Sequence, residues 1–142
     1  MNKERLITLA DWVDKNVKEK EFDMRRFFSY DVNELSDLTN KCGTTACLAG
    51  WAAVIPEFAR AGYHVENMNS VFVTGLTIVY DGADGFNALG KFFDLDEEQV
   101  DYIFGEYDDR DETITRDDDS PSTATARIRQ FVADGKCNWQ QT

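Results

Sequence analysis

The amino-acid sequence predicts one mostly helical α+β domain, with about five helices around a buried central helix and a small β-hairpin. A length of 142 residues with 42% hydrophobic content suits a single domain that has its own core. The run 46–55 contains no charged side chain, which predicts a helix buried on all sides. β-branched and aromatic residues at about 70–80 predict the hairpin.

The first element is an amphipathic helix over about 3–19. Its apolar side chains recur at helical spacing and comprise Leu6, Leu9, Ala10, Val13 and Val17. The central helix has Thr44 or Thr45 as its expected N-cap and ends before Pro56, because proline lacks an amide donor. We expect another helix to approach its small residues closely, namely Ala46, Ala49, Gly50 and Ala53.

The second half of the chain predicts a hairpin followed by three helices. The hairpin strands are 71–73 and 76–80, with Thr74–Gly75 as the turn. The next helix buries a face formed by Phe86, Leu89, Phe92 and Phe93. A helix then starts with a capping box between Asp96 and Gln99 and ends at Gly105. The last helix begins near Ser120 or Ser122 and ends at Gly135.

Negative charge is concentrated between Asp94 and Asp119. This stretch holds 13 of the 27 acidic residues and two of the 15 basic ones, so it carries −11 of the formal net charge of −12. A concentrated anionic surface attracts cationic partners and repels nucleic-acid phosphates. The charge pattern therefore favours a protein partner over direct nucleic-acid binding.

Within this stretch, residues 94–101 are largely explained as the start and solvated face of one helix. The remaining segment, 106–119, is called the acidic arm below. It has eight acids, two arginines and no apolar period, which predicts an exposed loop. Aromatic and aliphatic side chains nearby would supply the apolar contacts of an interface. The predicted partner-binding residues are Tyr102, Glu106, Tyr107, Asp108, Asp109, Asp111, Glu112, Ile114, Asp117, Asp118 and Asp119.

The acidic arm predicts a non-enzymatic protein that occupies a basic surface of another protein, either by imitating the charge of a nucleic acid or by filling a positive groove. Two other interpretations stay open. The arm is an ordinary solvated face, or it holds calcium through Asp108, Asp109, Asp111 and Glu112, although the central glycine and terminal glutamate of an EF-hand are missing.

The most distinctive local string is CGTTACLAGWAA at 42–53, preceded by FDM at 22–24. These motifs resemble a group of small phage and bacterial proteins of unknown function that share FDM, CGTxACxAGWA and a helix that opens on an acidic cap. The resemblance covers 22–55 well and 86–104 loosely. The resemblance implies a phage or accessory context, and it implies no activity, ligand or catalytic residue. Together with the acidic arm, it predicts an inhibitor of a nucleic-acid-binding or defence factor in the host cytosol.

The competing class of function is a thiol-dependent enzyme that uses Cys47. A cysteine at a helix N-terminus has a stabilised thiolate, as in papain-like enzymes. His64 is the only histidine, however, and no orienting partner for it is recognisable. The helical spacing also places Cys47 beside Trp51 and Val54, where an inert buried thiol is expected.

The sequence also leaves two binding functions open. Cys42, Cys47, His64 and Cys137 have the ligand types and number of a zinc site but lack close-spaced pairs. A pocket lined by Trp51 and phenylalanines would make the protein a small-molecule sponge. We expect no cofactor. With three irregularly spaced cysteines, no signal peptide and no apolar run long enough for a bilayer, we expect a soluble, unprocessed cytosolic protein with no membrane contact.

Overall fold

The computed structural model describes residues 1–69, 74–105, 107–108, 111–116 and 119–139. In these ranges the chain forms seven α-helices, one three-stranded antiparallel sheet and one two-stranded sheet, which confirms the mostly helical α+β class. The elements are α1 (Lys3–Asn16), α2 (Asp37–Asn40), α3 (Leu48–Ala52), α4 (Pro56–Arg60), β1 (His64–Asn69), β2 (Thr74–Tyr80), β3 (Ala83–Asp84), α5 (Gly85–Phe93), α6 (Glu97–Phe104), β4 (Tyr107–Asp108), β5 (Asp111–Thr115) and α7 (Pro121–Asp134).

Helix α1 lies against α7 and buries the predicted apolar stripe. Asn2 caps it, because its side-chain oxygen accepts a hydrogen bond from the amide of Arg5 at 3.0 Å. The helix ends at Asn16, earlier than expected, since Val17 has an extended backbone. A single 3-10 turn, Glu19–Glu21, follows before the chain reaches the FDM motif.

The run 46–55 is buried as predicted, except for the half-buried Val54, but only its middle is helical, as α3. The backbone of Ala46 is extended because it forms bridges to Phe22 on one side and to Phe28 on the other. Cys47 is therefore the N-cap residue, rather than Thr44 or Thr45. The Thr44 hydroxyl is used elsewhere, donating to the carbonyls of Asp37 and Lys41.

These bridges join the two motifs that the sequence places apart. The amide of Asp23 donates to the carbonyl of Ala46 at 3.1 Å, and the amide of Ala46 donates to the carbonyl of Glu21 at 3.2 Å. On the other side, the amide of Ser29 donates to the carbonyl of Thr45 at 2.9 Å. The segment 21–29 therefore wraps around the start of α3, with Phe22 and Met24 buried.

The close neighbour of the small residue Gly50 is this wrapped segment and not a helix. A Cβ atom at Gly50 would lie 2.2 Å from the carbonyl oxygen of Phe27. That distance is far inside van der Waals contact, so glycine is required here by packing against backbone.

We predict that Gly50→Ala lowers the free energy of unfolding by about 3 kcal/mol or more, because backbone at Phe27 must move to admit the methyl group. Urea denaturation followed by circular dichroism measures the loss. Gly43→Ala is the control: Gly43 has a positive φ but open space around its Cβ, so we expect a loss of only about 1 kcal/mol. Equal losses in the two variants would contradict the packing argument.

A hairpin is present in this region, but the strand that pairs with β2 lies earlier in the chain than predicted, and the predicted turn is wrong. Strand β1 pairs with β2 in antiparallel register, with His64 opposite Val79 and Asn69 opposite Thr74. Thr74–Gly75 lies within β2 and is not the turn, and 71–73 lies outside the described residues. The sequence of β1, HVENMN, lacks the β-branched enrichment that identifies strands, which is why it was missed.

The helices of the second half begin and end near the expected residues. The predicted capping box is present in α6, where Asp96 accepts from the amide of Gln99 at 2.9 Å and donates its own amide to the Gln99 side chain at 3.0 Å. Ser120 caps α7, and Gly135 ends it in the left-handed conformation. The aromatic centre of the core is packed mostly edge to face and consists of Phe58, Tyr63, Phe92 and Phe93.

Candidate functional site

The acidic arm contains regular structure where an exposed loop was expected. Strands β4 and β5 pair in antiparallel fashion, with Tyr107 opposite Thr115 and Asp108 opposite Asp111. The backbone therefore forms a small hairpin that follows α6. Outside the described residues lie Glu106, Asp109, Asp117 and Asp118, together with the side chains of Tyr107, Asp108, Asp111, Glu112 and Ile114.

The assignment of Tyr102, a residue of α6, as a partner-binding residue is corrected by the structure. Its side chain is fully buried and packs against the rings of Phe131 and Trp139. Its hydroxyl donates to the side-chain oxygen of Gln130. Burial raises the pKa of this phenol, because the charged form would lose its hydration. Tyr102 therefore belongs to the core. It contacts the acidic arm through Arg116 and is not exposed to a partner.

The arm is held at both ends by Arg116. This residue follows β5 and is only 2% exposed. Its Nη1 donates to the carbonyl of Gly105, just before β4, at 3.2 Å and to the carbonyl of Asp101 at 3.4 Å. The guanidinium also lies 4.9 Å from the ring centroid of Trp139, within cation–π range. A single buried cation therefore ties the exit of the hairpin to its entry.

A second arginine holds the segment that leads from the arm into α7. The side chain of Arg127 is 0% exposed and forms an ion pair with Asp119, which is 10% exposed. Asp119 was predicted as a partner-binding residue, but its carboxylate is engaged within the fold. We call Arg116, Arg127 and Asp119 the arginine anchor. The sequence signal for it is a charged residue at 127 between the buried positions Ala124, Ile128 and Phe131 of α7.

We predict that Arg127→Met lowers the free energy of unfolding by about 3–5 kcal/mol, because it leaves the carboxylate of Asp119 buried without its counter-charge. Arg129→Met is the matched control on the same helix. Arg129 pairs with Asp11 and Asp14 at the surface, so its loss should cost about 1 kcal/mol or less. Urea unfolding of both variants provides the measurement. Losses of similar size would show that the Arg127 pair is not part of a buried anchor.

A groove of about 740 Å³ lies between α5 and α6. Its apolar lining comprises Ala83, Phe86, Leu95 and Val100, and Phe86 is 43% exposed. Three carboxylates line it as well: Asp94, Glu97 and Asp101. The sequence pattern explains these acids as the start and solvated face of α6. It does not predict the groove, because the pattern within one helix does not reveal the space beside that helix.

Most of the charges around this groove have partners within the protein. The ammonium of Lys91 is directed at Asp81, donating to its carbonyl at 3.1 Å with the carboxylate at 4.0 Å. Asp94 accepts from the amino group of Met1 at 3.0 Å. Glu97 is exposed. Asp101 also has a partner, so three of the four charged residues that line the groove are already engaged within the protein.

Cys47, the nucleophile of the catalytic hypothesis, lies at the start of α3 and is buried. It is 1% exposed, and burial raises the pKa of its thiol to about 11 in spite of backbone amides of α3 that stabilise the thiolate. At neutral pH the thiol of Cys47 therefore stays protonated. His64 is engaged elsewhere, with its ring nitrogens 2.8 Å from the Gly62 carbonyl and 3.0 Å from the Glu66 carboxylate. This geometry disfavours thiol catalysis.

We predict that iodoacetamide labels Cys42 rapidly in the native protein and does not label Cys47, because Cys42 is exposed and Cys47 is enclosed in the core. Peptide mass spectrometry after a timed reaction at neutral pH reports both sites in one sample. In urea the two cysteines should react at similar rates. Rapid labelling of Cys47 in the native protein would restore the catalytic hypothesis.

The alternative zinc ligands are not brought together. Cys42 is exposed, Cys47 is buried and Cys137 is half-buried. Across the parts of the chain that are described, which include all four proposed ligands, no three His, Cys, Asp or Glu residues cluster as metal ligands would. The calcium alternative falls largely on residues or side chains outside those parts.

Trp51, the proposed lining of a small-molecule pocket, is also occupied by the fold. Its indole Nε1 donates to the carbonyl of Glu21 at 3.0 Å, and its ring lies 6.1 Å from that of Trp12. Trp51 lines neither the α5–α6 groove nor a smaller one of about 340 Å³ beside α1 and α4.

Comparison with known proteins adds no relative. The chain matches no family model, and no curated protein or solved structure shows significant similarity to it. The resemblance to small phage and bacterial proteins therefore stays a prediction that depends on the motifs alone. Among the helices in the described ranges, none has the length and apolar character needed to cross a bilayer.

Proposed function

We propose that this protein is a non-enzymatic binding factor whose acidic surface occupies a basic surface of another protein. The observation that carries the proposal is the segregation of charge, −11 of −12 between Asp94 and Asp119, in a stretch that folds as α6 and the following hairpin. A surface of this kind raises the association rate with a cationic partner and disfavours direct contact with nucleic-acid phosphates.

The arginine anchor supports the proposal. An acidic segment with a net charge of −6 repels itself and favours extended, separated conformations. Arg116 joins the two ends of the hairpin, and Arg127 holds the chain beyond it, so less conformational entropy is lost on binding. Two buried cations beneath a carboxylate-rich segment are consistent with an arm whose position matters.

The partner class follows from the same charges. A protein surface that complements so many carboxylates is rich in lysine and arginine, as nucleic-acid-binding surfaces are. We therefore propose a nucleic-acid-binding or defence protein as the target, blocked by charge imitation. The motif resemblance supports a phage or accessory context for such an inhibitor.

Neutralising the arm should weaken this binding. We predict that a variant with Asp108→Asn, Asp109→Asn, Asp111→Asn and Glu112→Gln loses about ten-fold or more in affinity for the captured partner, because the steering and contact charges are removed. The partner is captured from host lysate with the wild-type protein, purified, and then titrated with each variant by surface plasmon resonance. A duplex DNA fragment should compete with the wild-type protein for the partner.

The control variant removes the same amount of charge elsewhere, through Glu4→Gln, Glu19→Gln, Glu34→Gln and Glu57→Gln, all at exposed positions. We expect its affinity to stay within about two-fold to three-fold of wild type at physiological salt, where distant charges are screened. Failure to capture a partner, or an equal loss in both variants, would contradict the proposal.

A further inference from the structure

We propose that two copies of this chain associate through strand β1, so that their three-stranded sheets join into one six-stranded sheet across a two-fold axis. The inference goes beyond the proposed function, because it involves neither the acidic arm nor a basic partner. Three observations carry it: β1 is an edge strand, its alternate backbone groups point outward, and the hairpin that contains it has little charge.

Strand β1 is the longer of the two edges of the three-stranded sheet. The strand order is β1-β2-β3, so only one side of β1 is paired, and the opposite edge, β3, has two residues. Among the described elements, β1 packs substantially against β2 alone, and its side chains His64, Glu66 and Asn67 are exposed. The outer side of β1 is therefore open to a further strand.

The turn between β2 and β3 determines which backbone groups of the sheet point in which direction. Asp81 and Gly82 both have positive φ, which makes this a two-residue type I′ turn. The residues that flank it, Tyr80 and Ala83, are paired and bond to each other. Because the direction of the backbone groups alternates along a strand, Tyr80 directs its groups at β3 and Val79 directs its groups at β1.

The same alternation leaves three residues of β1 with outward-directed backbone groups. Val79 lies opposite His64, so His64 bonds to β2 and its neighbour Val65 points away from β2. The outward residues are thus Val65, Asn67 and Asn69. Within the described ranges, no backbone hydrogen bond joins these three residues to another segment of the chain. They offer donors and acceptors to an extended chain, as in β-strand addition.

Strand β1 lacks the features by which edge strands resist pairing. Its sequence, HVENMN, has no lysine or proline, and it pairs with β2 without a register shift. Its only acid, Glu66, lies 3.0 Å from Nε2 of His64. The 14 residues 67–80 contain no charged side chain, although 30% of the whole chain is charged. Two acidic molecules can therefore approach here without bringing their carboxylate-rich segments together.

A second copy supplies a strand that fits this edge. With a two-fold axis at Asn67, antiparallel pairing places Asn67 opposite itself and Val65 opposite Asn69 of the other copy. Glu66 then lies opposite Met68 of the other copy, so like charges do not meet. The exposed side-chain amide of Asn67 both donates and accepts, which suits pairing with itself. A basic strand gains little here, because the one acid of β1 already has a histidine beside it.

Sedimentation equilibrium of the full chain measures the association. A six-residue edge buries little side-chain area, so we expect a dissociation constant of about 0.1 mM. Hydrogen exchange followed by nuclear magnetic resonance locates the contact. The amides of Val65, Asn67 and Asn69 should gain protection as the protein is concentrated, whereas those of Glu66 and Met68 should be protected throughout. A chain that is monomeric at about 1 mM, or that dimerises without this protection, would overturn the inference.

Charge at the two-fold axis provides the first variants. Asn67→Lys and Asn67→Asp each place like charges opposite one another, so each alone should raise the dissociation constant about five-fold, and an equimolar mixture should restore association as a heterodimer. Asn40→Lys is the control, because it makes the same change of charge at another exposed position. It should associate at least as well as the wild type. Equal dissociation constants for the two lysine variants would count against β1.

Proline tests the direction of the backbone groups. Asn67→Pro removes an N–H that points outward, so the monomer should keep its fold and lose the association. Glu66→Pro removes an N–H that bonds to β2 and should destabilise the hairpin, which circular dichroism during urea unfolding detects. If Asn67→Pro folds and still dimerises, the inference is wrong. If it does not fold, the lysine and aspartate variants decide the question.

The outcomes are separate from those of the proposed function. Asn67→Lys leaves the acidic arm intact, so its binding to a captured partner reports on the arm even if the dimer does not exist. Protection of the outward amides of β1 only in the presence of that partner would show that a strand of another protein occupies the edge. That result would overturn pairing with a second copy.

Discussion

The rest of the fold depends on the hydrogen bonds that the extended backbone of Ala46 forms with a distant segment of the chain. Ala46 uses its hydrogen-bonding groups toward the segment 21–23, while Thr45 and Cys47 beside it bond to 27–29. Helix α3 can begin only where this pairing ends, and Gly50 must be glycine because the same wrapped segment crosses it. The indole of Trp51 completes the connection through the carbonyl of Glu21. Two sequence motifs are thus two halves of one structural unit.

The concentration of negative charge destabilises the folded acidic arm, and the arginine anchor opposes this effect. Carboxylates that repel one another do not support a defined backbone, and an isolated two-stranded hairpin has little stability of its own. The structure places two guanidiniums out of solvent beneath this segment, where electrostatic attraction is less screened than at the surface. One of them lies over aromatic rings, so the residues Tyr102 and Trp139 serve the acidic arm through the core.

Much of the fold could be predicted because it depends on local signals. The caps at Asp96, Ser120 and Gly135 follow from side-chain geometry within one turn, and the burial of 46–55 follows from its lack of charge. What failed depends on distant pairing. The polar strand β1 is defined by its partner β2, and the extended start of α3 by a segment some twenty residues away. Tyr102 was misassigned because its neighbours in sequence are acidic, whereas its neighbours in space are aromatic. The groove beside α6 was invisible for the same reason.

Joining Gly105 to Arg116 has a consequence for how this protein can change over evolutionary time. Loop-closure entropy depends on the number of residues between two fixed positions of the chain. Here the fixed positions are Gly105 and Arg116, which are held by the core and not by the hairpin between them. The intervening stretch can therefore accept substitutions, insertions or altered turn lengths with little effect on the helical core. A protein built in this way separates the residues that must be preserved for folding from the residues that can vary. The residues between Gly105 and Arg116 can therefore vary, whereas Arg116 and Asp119 at the end of the acidic arm must be kept for folding.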